Sequence, residues 1–191
     1  MTNDETLDIL RETDALLEGH FELRSGLHSE QFFQCANALM HPYAAEKLCS
    51  ALVAKYKEEA GDIGDIEAVI SPALGGIIVG HEVARALGVP SIFAEKKEDK
   101  LLMRRFEIKP GERYVVAEDV VTRGGRVQET IDIVVNAGGI VAAVLLIVNR
   151  SGGKARFAYP MYSLLEMEPV TYESGSCPLC DEGKPLVHPG S

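Results

Sequence analysis

The sequence predicts an α/β protein in which a mainly parallel sheet is flanked by helices on both faces. Short apolar, β-branched runs alternate with helical patterns between residues 67 and 148, as expected for parallel strands joined by helical connections. Two glycine-containing turns, at residues 71–76 and 122–126, directly follow such runs. Because binding loops in these sheets lie at the carboxyl ends of the strands, both turns are candidate ligand sites.

The N-terminal part of the chain precedes this alternation and predicts a helix, a hairpin and a second helix. Residues 4–18 carry leucines at helical spacing. Residues 19–36 predict a hairpin around the turn sequence SGLHS, with its second strand at residues 31–35. Pro42 starts an amphipathic helix that runs through Ala60, since proline favours the first helical position.

The alternating part contains four predicted strands, at residues 67–71, 91–95, 114–117 and 140–148. Two helices are predicted between them, at residues 77–88 and 127–137. Residues 95–112 are strongly charged and interrupt the alternation, which predicts a mobile loop with a short strand near its end. Residues 175–191 are rich in glycine and proline and predict an irregular tail.

The overall composition excludes several classes of protein. The formal net charge is −10, whereas nucleic-acid binders usually carry a basic excess, so no nucleic-acid partner is predicted. No run approaches the roughly 18 consecutive apolar residues of a membrane span. The first ten residues are acidic and lack the core of a signal peptide. We therefore expect a cytoplasmic protein with no membrane partner.

The cysteines do not by themselves predict a metal site. Cys177 and Cys180 have the Cys-x-x-Cys spacing of zinc sites. A structural zinc normally needs four ligands, and only His188 lies near the pair in the sequence, so no protein-bound metal is predicted. Cys35 and Cys49 are interpreted as buried small side chains. The other histidines are interpreted as surface or hydrogen-bonding residues: His20, His28, His41 and His81.

Residues 115–130 carry the strongest functional signal. An apolar strand delivers Glu118 and Asp119, which can accept hydrogen bonds from vicinal hydroxyl groups such as those of ribose. Gly124 and Gly125 let backbone N–H groups converge on an anion, and the helix that begins there adds its positive dipole end. The Walker and dinucleotide glycine patterns are both missing. A solvated turn is the alternative, but the paired acids favour a ligand site.

Residues 115–127 resemble the signature with which type I phosphoribosyltransferases bind 5-phosphoribosyl 1-diphosphate (PRPP). In that signature an apolar strand precedes two acids, two apolar residues, usually Thr-Thr-Gly-Gly, and a Ser or Thr. Arg123 and Arg126 replace the usual hydroxyl residues here, so backbone N–H and guanidinium donors would do more of the phosphate binding. The resemblance implies that PRPP contacts Glu118, Asp119, Val120, Val121, Thr122, Arg123, Gly124, Gly125 and Arg126.

Further segments narrow the resemblance to the orotate phosphoribosyltransferases. Residues 19–36 resemble that family's N-terminal hairpin, F-x-L-[KR]-S-G-x-x-S followed by two aromatics. The resemblance implies that Arg24 approaches the diphosphate and the base, while Phe32 and Phe33 border the orotate ring. For one of these two aromatics, packing in the core is an equally good explanation. Arg150 ends an apolar strand where the family binds the orotate carboxylate, which a guanidinium matches bidentately. The implied orotate-binding residues are Arg24, Phe32, Phe33, Thr122 and Arg150.

Two loops complete the resemblance. Residues 93–100 are similar to the family's catalytic loop, [RK]-K-E-x-K, with Lys96, Lys97 and Lys100 at its cationic positions, which implies that these three lysines also bind PRPP. Leu102 stands where many relatives have a histidine, so any role of that histidine is lost or passes to a nearby arginine. Residues 71–76 (SPALGG) resemble the diphosphate-binding loop, which implies a cis peptide at Ala73-Leu74. The residues implied in catalysis are Lys100, Lys97, Glu118 and Asp119.

The resemblance implies transfer of the phosphoribosyl group of PRPP to orotate, which gives orotidine 5′-monophosphate in pyrimidine biosynthesis. It also implies Mg²⁺ carried by PRPP, and a homodimer with shared active sites. The expected organisation is one domain over residues 1–191, with a core at about 42–150 and a small hood from about 1–41 and 151–191. Two alternatives stay open: transfer to another base, a purine or uracil, and a non-catalytic regulator that senses PRPP.

Overall fold

A six-stranded sheet forms the centre of the fold. The structure of the protein is a computed structural model, and it describes residues 1–23, 25–98 and 100–189. The strand order is β5-β4-β3-β6-β7-β8, and all neighbouring pairs are parallel except β4 and β5. The strands are β3 (Ala68–Pro72), β4 (Ser91–Lys97), β5 (Lys100–Leu102), β6 (Arg113–Val121), β7 (Ile140–Asn149) and β8 (Met161–Glu166). The predicted α/β class is therefore confirmed.

Helices pack against both faces of this sheet. The helices α3 (Pro42–Ala60) and α4 (Gly75–Leu87) cover one face, and α5 (Gly125–Asn136) covers the other. Side chains alternate between the faces along each strand: Val115 and Leu145 belong to the core under α3 and α4, whereas Val116 and Leu146 pack under α5. Because both faces are covered, β7 is apolar at every position except Asn149, and β6 is apolar from Tyr114 to Ala117.

The helix over Pro42–Ala60 has the predicted bounds, with Pro42 in its first turn and Gly61, at φ 67°, directly after its end. The helix α4 begins at Gly75, two residues before its predicted start, and ends before Gly88, which is left-handed. The helix α5 begins at Gly125, at the glycine turn where the anion site was expected, two residues before the helical pattern of residues 127–137. The early starts bring both helix N-termini to the glycine turns that follow β3 and β6.

The N-terminal helix is shorter than predicted. Helix α1 covers Asn3–Glu12, and Leu16 already starts strand β1 (Leu16–Glu22). The hydroxyl of Thr13 donates to the carbonyl of Ile9 (2.7 Å), and Asp14 has φ 52°. Because a non-glycine residue in this left-handed region ends regular helical hydrogen bonding, the helical spacing of Leu16 and Leu17 was misleading.

The predicted hairpin is confirmed, and it belongs to a second, smaller sheet. Strands β1 and β2 (His28–Phe33) are antiparallel, and β2 also pairs with β9 (Thr171–Tyr172). The second strand ends at Phe33, and Cys35 opens the short helix α2 (Cys35–Leu39) instead of extending the strand. Strands β8 and β9 have no counterpart among the strands predicted from the sequence.

The charged segment and the C-terminal tail contain more secondary structure than the sequence predicted. The strand β4 continues to Lys97 and pairs with β5, so the short strand lies early in residues 95–112 and not near their end. Phe106 packs on Phe93, with ring centroids 5.2 Å apart. The tail contains a 3₁₀ turn (Ser174–Ser176) and the short helix α6 (Pro178–Asp181).

Two histidines that were interpreted as surface or hydrogen-bonding residues are buried, and they bond to each other. His20 and His28 are 3% and 4% exposed, with 2.9 Å between their ring nitrogens. His188, the predicted neighbour of the cysteine pair, instead lies 3.4 Å from Glu22. No helix in the described part of the chain has the length and apolar character needed to cross a membrane.

Candidate active site

A cavity of about 1040 Å³ opens between the carboxyl ends of the central strands and the β1–β2 hairpin. The turns that follow β3 and β6 form one side, and Arg150, directly after β7, lies beside them. This is the position at which an open α/β sheet is expected to bind ligands. Its lining includes the predicted residues Phe32, Phe33, Glu118, Asp119, Val120, Val121, Thr122, Arg123, Gly124, Gly125, Arg126 and Arg150.

The two adjacent carboxylates lie near the end of β6. Glu118 is 8% exposed. Burial, reinforced by the negative charge of Asp119, raises the pKa of Glu118 well above its usual value. Burial also raises the pKa of Asp119. The N–H of Val120 donates to Asp119 Oδ1 (2.7 Å) and the N–H of Asp119 to Glu118 Oε1 (3.2 Å), which fixes both groups.

The loop after β3 lies against these carboxylates. The peptide bond between Ala73 and Leu74 is cis, as the resemblance implied. A Cβ atom on Gly75 would lie 3.5 Å from Asp119 Oδ2, and one on Gly76 would lie 2.9 Å from Glu118 Oε1. A side chain at Gly76 would therefore displace Glu118, whereas one at Gly75 would make an ordinary van der Waals contact with Asp119.

The turn after β6 opens helix α5 in the way that anion binding requires. Gly124 has φ 81°, and a side chain there would also meet the ring of Phe157 at 2.8 Å. The first backbone N–H groups of a helix have no partner within it, so those that follow Gly124 can donate to an anion. Thr122, Arg123 and Arg126 are exposed around this turn.

Arg150 and Phe33 form the opposite part of the site. The guanidinium lies 6.0 Å from the centre of the Phe33 ring, and the backbone N–H of Arg150 donates to Val121 (2.9 Å). Burial lowers the pKa of Arg150. Among the residues that the structure describes, no carboxylate forms an ion pair with it. Phe33 is buried, while Phe32 is half-buried and packs near Phe21.

The predicted cations of the charged segment do not join this cavity within one chain. Lys96, Lys97 and Lys100 are exposed on the β4–β5 hairpin and are absent from the cavity lining. Arg105, one of the possible substitutes for the missing histidine, lies 3.2 Å from Glu95. Arg24 lies outside the described residues.

Several residues that line the cavity were missed in the sequence. Lys154 and Glu168 form an ion pair (3.1 Å) at its edge, and Ser151 lies beside them with a buried hydroxyl that lacks a hydrogen-bond partner among the described residues. Thr171, on the unpredicted strand β9, also lines it. These residues follow the last strong apolar run and have no periodic pattern, so only their polar character could have drawn attention to them.

Solved structures with the same architecture define the class of this fold. The crystal structure of orotate phosphoribosyltransferase from Aeropyrum pernix aligns with a TM-score of 0.69 at 23% identity, covering 84% of this chain and 92% of that one. The structure of adenine phosphoribosyltransferase from Rhodothermus marinus aligns with a TM-score of 0.66 at 21% identity, covering 86% of this chain and 100% of that one. The fold is therefore that of the type I phosphoribosyltransferases.

Sequence relatives define the family within that class. The orotate phosphoribosyltransferase of Desulforamulus reducens is 45% identical over 192 residues, covering 100% of this chain and 98% of the relative. That of Heliobacterium modesticaldum is 48% identical, with 100% and 99% coverage. No family model matches the chain. The chain belongs to the orotate phosphoribosyltransferase family and is a transferase.

Proposed function

We propose that this enzyme transfers the phosphoribosyl group of PRPP to orotate, giving orotidine 5′-monophosphate and diphosphate. The observation that carries the proposal is the arrangement of one cavity: buried Glu118 and Asp119, the N-terminus of α5 beside them, and Arg150 without a carboxylate partner among the described residues. These three features match the sugar, the phosphate and the carboxylate of the two substrates. Full-length relatives named orotate phosphoribosyltransferase support the same reaction.

The ribose and its phosphate would occupy the β6 side of the cavity. Glu118 and Asp119 would accept hydrogen bonds from the two ribose hydroxyls. These donors favour the ionised form of both acids and so oppose the burial that raises their pKa in the ligand-free protein. The 5′-phosphate would lie on the backbone N–H groups that follow Gly124, with Thr122 and Arg126 as side-chain donors. The backbone of residues 73–76 would face the diphosphate.

The base would lie on the β7 side. Arg150 would hold the orotate carboxylate with its planar pair of N–H groups, since a half-buried guanidinium discriminates strongly for a carboxylate. Phe33 and Phe32 would border the ring, and Thr122 would contribute a hydroxyl group. A base without a carboxylate would leave Arg150 desolvated and unpaired, so uracil and the purines are expected to bind poorly.

The orotate ring nitrogen, after losing its proton to solvent, forms a bond to C1 of ribose as the bond from C1 to the diphosphate oxygen breaks. Positioning the two anions in this geometry supplies much of the rate enhancement. Lys100 and Lys97 would stabilise the negative charge of the departing diphosphate. Glu118 and Asp119 would offset positive charge that develops on the ribose.

Magnesium would enter bound to PRPP. The oxygen ligands that Glu118 and Asp119 offer suit Mg²⁺, which prefers oxygen and keeps much of its shell from phosphates and water. When bound, the ion supplies charge neutralisation to the diphosphate. The chain's own residues would orient the ribose and the phosphate.

The position of the lysines supports a shared site in a homodimer. Lys97 and Lys100 project from the β4–β5 hairpin and are absent from the cavity of their own chain. A loop of this kind could close over the site of a second copy and exclude water that would otherwise hydrolyse PRPP. We propose a cytoplasmic homodimer acting on small molecules, with no nucleic-acid or membrane partner.

The test is a base-specificity assay with PRPP and Mg²⁺. Loss of orotate absorbance is expected, with no product from uracil, adenine, guanine or hypoxanthine under the same conditions. Turnover of a purine or uracil in place of orotate would assign a different base. PRPP binding without turnover of any base, together with binding to RNA or DNA at moderate salt, would favour a PRPP-sensing regulator.

A further inference from the structure

Four metal-ligating side chains meet beneath the β1–β2 hairpin, away from the active-site cavity. His20 lies on β1 and His28 on β2, while Cys177 and Cys180 lie at the start of and within α6. One ligand atom from each residue lies within 4.8 Å of all the others. No residue of this cluster lines the substrate cavity. The Cys-x-x-Cys pair therefore has two partners that lie about 150 residues earlier in the chain.

The distances between the ligand atoms fit one tetrahedral ion. Zinc bonds of about 2.3 Å to sulfur and 2.0–2.1 Å to nitrogen give tetrahedral edges of about 3.6 Å between nitrogen and sulfur and about 3.3 Å between nitrogens. The observed distances include 3.6 Å from Cys177 Sγ and 3.8 Å from Cys180 Sγ to His20 Nε2, 3.4 Å from Cys180 Sγ to His28 Nδ1 and 2.9 Å between the two histidine nitrogens, and all pairs lie within 4.8 Å. To hold the ion, the two nitrogens would separate by about 0.4 Å and the widest pair would close by up to about 1 Å.

The hydrogen bonding around His20 orients it as a ligand. Its Nδ1 lies 2.9 Å from the carbonyl oxygen of Lys184. A carbonyl only accepts, so Nδ1 carries the proton, and Nε2 directs its lone pair toward the cluster. This is the outer hydrogen bond that metal-binding histidines commonly make, since it fixes the tautomer and the ring orientation.

We propose that His20, His28, Cys177 and Cys180 bind a structural zinc ion. Sulfur and imidazole ligands in tetrahedral arrangement favour Zn²⁺ over Mg²⁺, which prefers oxygen. Two thiolates neutralise its charge, so the ion can lie among the buried side chains of His20, His28 and Cys177, which are 3%, 4% and 1% exposed, with Cys180 at the exposed edge of the cluster. All four ligand positions are protein side chains, which is typical of structural zinc and leaves no open position for substrate.

The proposed ion joins two segments that are distant in sequence. It would tie the hairpin to the C-terminal segment, where the N–H of Val187 donates to His20 (2.8 Å) and the N–H of Glu22 donates to Val187 (3.0 Å). The hairpin turn between the histidines carries Leu23, Ser25 and Leu27, which line the substrate cavity. The zinc would therefore hold one wall of the active site in place without contacting substrate.

Elemental analysis of the purified full-length protein tests this site. About one zinc per chain is expected after gel filtration in wild type and in His188→Asn, a control on the same segment outside the cluster. Cys180→Ser should hold less than about a tenth of that amount. Retention of one zinc per chain by Cys180→Ser, or its loss in His188→Asn, would overturn the assignment.

X-ray absorption at the zinc edge of wild type gives a test that does not depend on a variant folding. The proposal predicts two sulfur neighbours at about 2.3 Å and two nitrogen neighbours at about 2.0 Å. A shell of only oxygen and nitrogen would overturn it. So would a wild-type protein that stays zinc-free after expression in zinc-supplemented medium, including one with a Cys177–Cys180 disulfide by mass spectrometry.

Discussion

Gly76 in the first turn of α4 lies against the carboxylate of Glu118, so closely that a Cβ atom on Gly76 would come within 2.9 Å of Glu118 Oε1. The same atom would lie 3.1 Å from the ring of Pro72 and 3.3 Å from Ser71. The glycines that open α4 and the acid pair of β6 are thus in direct contact, although they lie about 40 residues apart in the sequence.

Gly76→Ala should displace the Glu118 carboxylate and impair ribose binding. We expect kcat/KM for PRPP to fall about tenfold or more, because a displacement of under 1 Å at the reacting centre is costly. The free energy of unfolding should change by only about 1 kcal/mol, since alanine favours the helix while the new contact opposes it. Steady-state kinetics and urea unfolding measure the two effects.

Gly175→Ala is the control for this change, because a Cβ atom there would meet nothing within 4 Å. Its kinetics should match wild type. Equal losses of activity in the two variants, or wild-type activity in Gly76→Ala, would contradict the proposed contact with Glu118.

Arg150→Ala should weaken orotate binding selectively. Loss of a charge-assisted, bidentate partner is expected to raise the KM for orotate by about ten- to a hundredfold, whereas the KM for PRPP should change by less than about twofold. Arg150→Lys should recover only part of the loss, because an ammonium lacks the planar fork. Arg156→Ala, an exposed arginine outside the cavity, serves as control. A rise in the PRPP KM alone would assign Arg150 to the other substrate.

Lys100→Ala should reduce turnover much more than PRPP binding. The lysine is proposed to stabilise the departing diphosphate, so kcat should fall by about a hundredfold or more while the Kd of PRPP changes by only a fewfold. Rapid-quench kinetics and calorimetry separate the two quantities. Unchanged kcat would remove Lys100 from the chemistry.

Mixing two inactive variants tests whether the sites are shared. If Lys100 acts on the partner's cavity, a mixed dimer of Lys100→Ala and Asp119→Asn chains contains one intact site. A random mixture should then recover about a quarter of wild-type activity, because half of the dimers are mixed and each has one working site of two. Mixing that restores no activity, in a sample shown by mass spectrometry to contain mixed dimers, would place Lys100 in its own chain's site.

The acid pair should make the ligand-free protein less stable as pH rises. Burial raises the pKa of Glu118 above its unfolded value, so the folded state binds more protons than the unfolded state between the two values. The contribution of Glu118 to the free energy of unfolding is therefore greatest below its unfolded-state pKa of about 4.3. This contribution falls as the pH rises toward the raised pKa of Glu118 in the folded state. Asp119 contributes in the same direction.

Glu118→Gln removes the buried charge and should flatten this pH dependence, with a higher free energy of unfolding than wild type at pH 8. Chemical denaturation at pH 5 and pH 8 measures the difference. Glu58→Gln, at an exposed position of α3, should retain the wild-type slope. A wild-type protein that gains stability from pH 5 to pH 8 relative to Glu118→Gln would contradict the assignment.

The central sheet and the β6 side of the site were predictable because their signals are local. The apolar runs at 114–117 and 140–148 specify buried strands, and Glu118, Asp119 and Gly124 follow one of them directly. Gly138 and Gly139 after α5 likewise mark a helix end. Such signals involve neighbours in the chain, so they can be interpreted without tertiary contacts.

The unpredicted parts depend on contacts between distant segments. Leu16 and Leu17 fit a helical pattern, but Asp14 ends the helix and pairing with Phe33 and Phe32 makes a strand. His20 and His28 reach Cys177 only because the C-terminal segment pairs with the hairpin. The spacing of residues in the sequence does not predict such pairings between distant segments.

Calorimetric titration of the enzyme with PRPP, with and without Mg²⁺, tests the central claim most directly. We expect saturable binding to wild type and binding at least about tenfold weaker in Asp119→Asn, with a cooperative thermal unfolding transition in both proteins as the check on folding. A folded wild-type protein that takes up no PRPP under either condition would contradict the assignment of the acid pair and the glycine turn as the PRPP site.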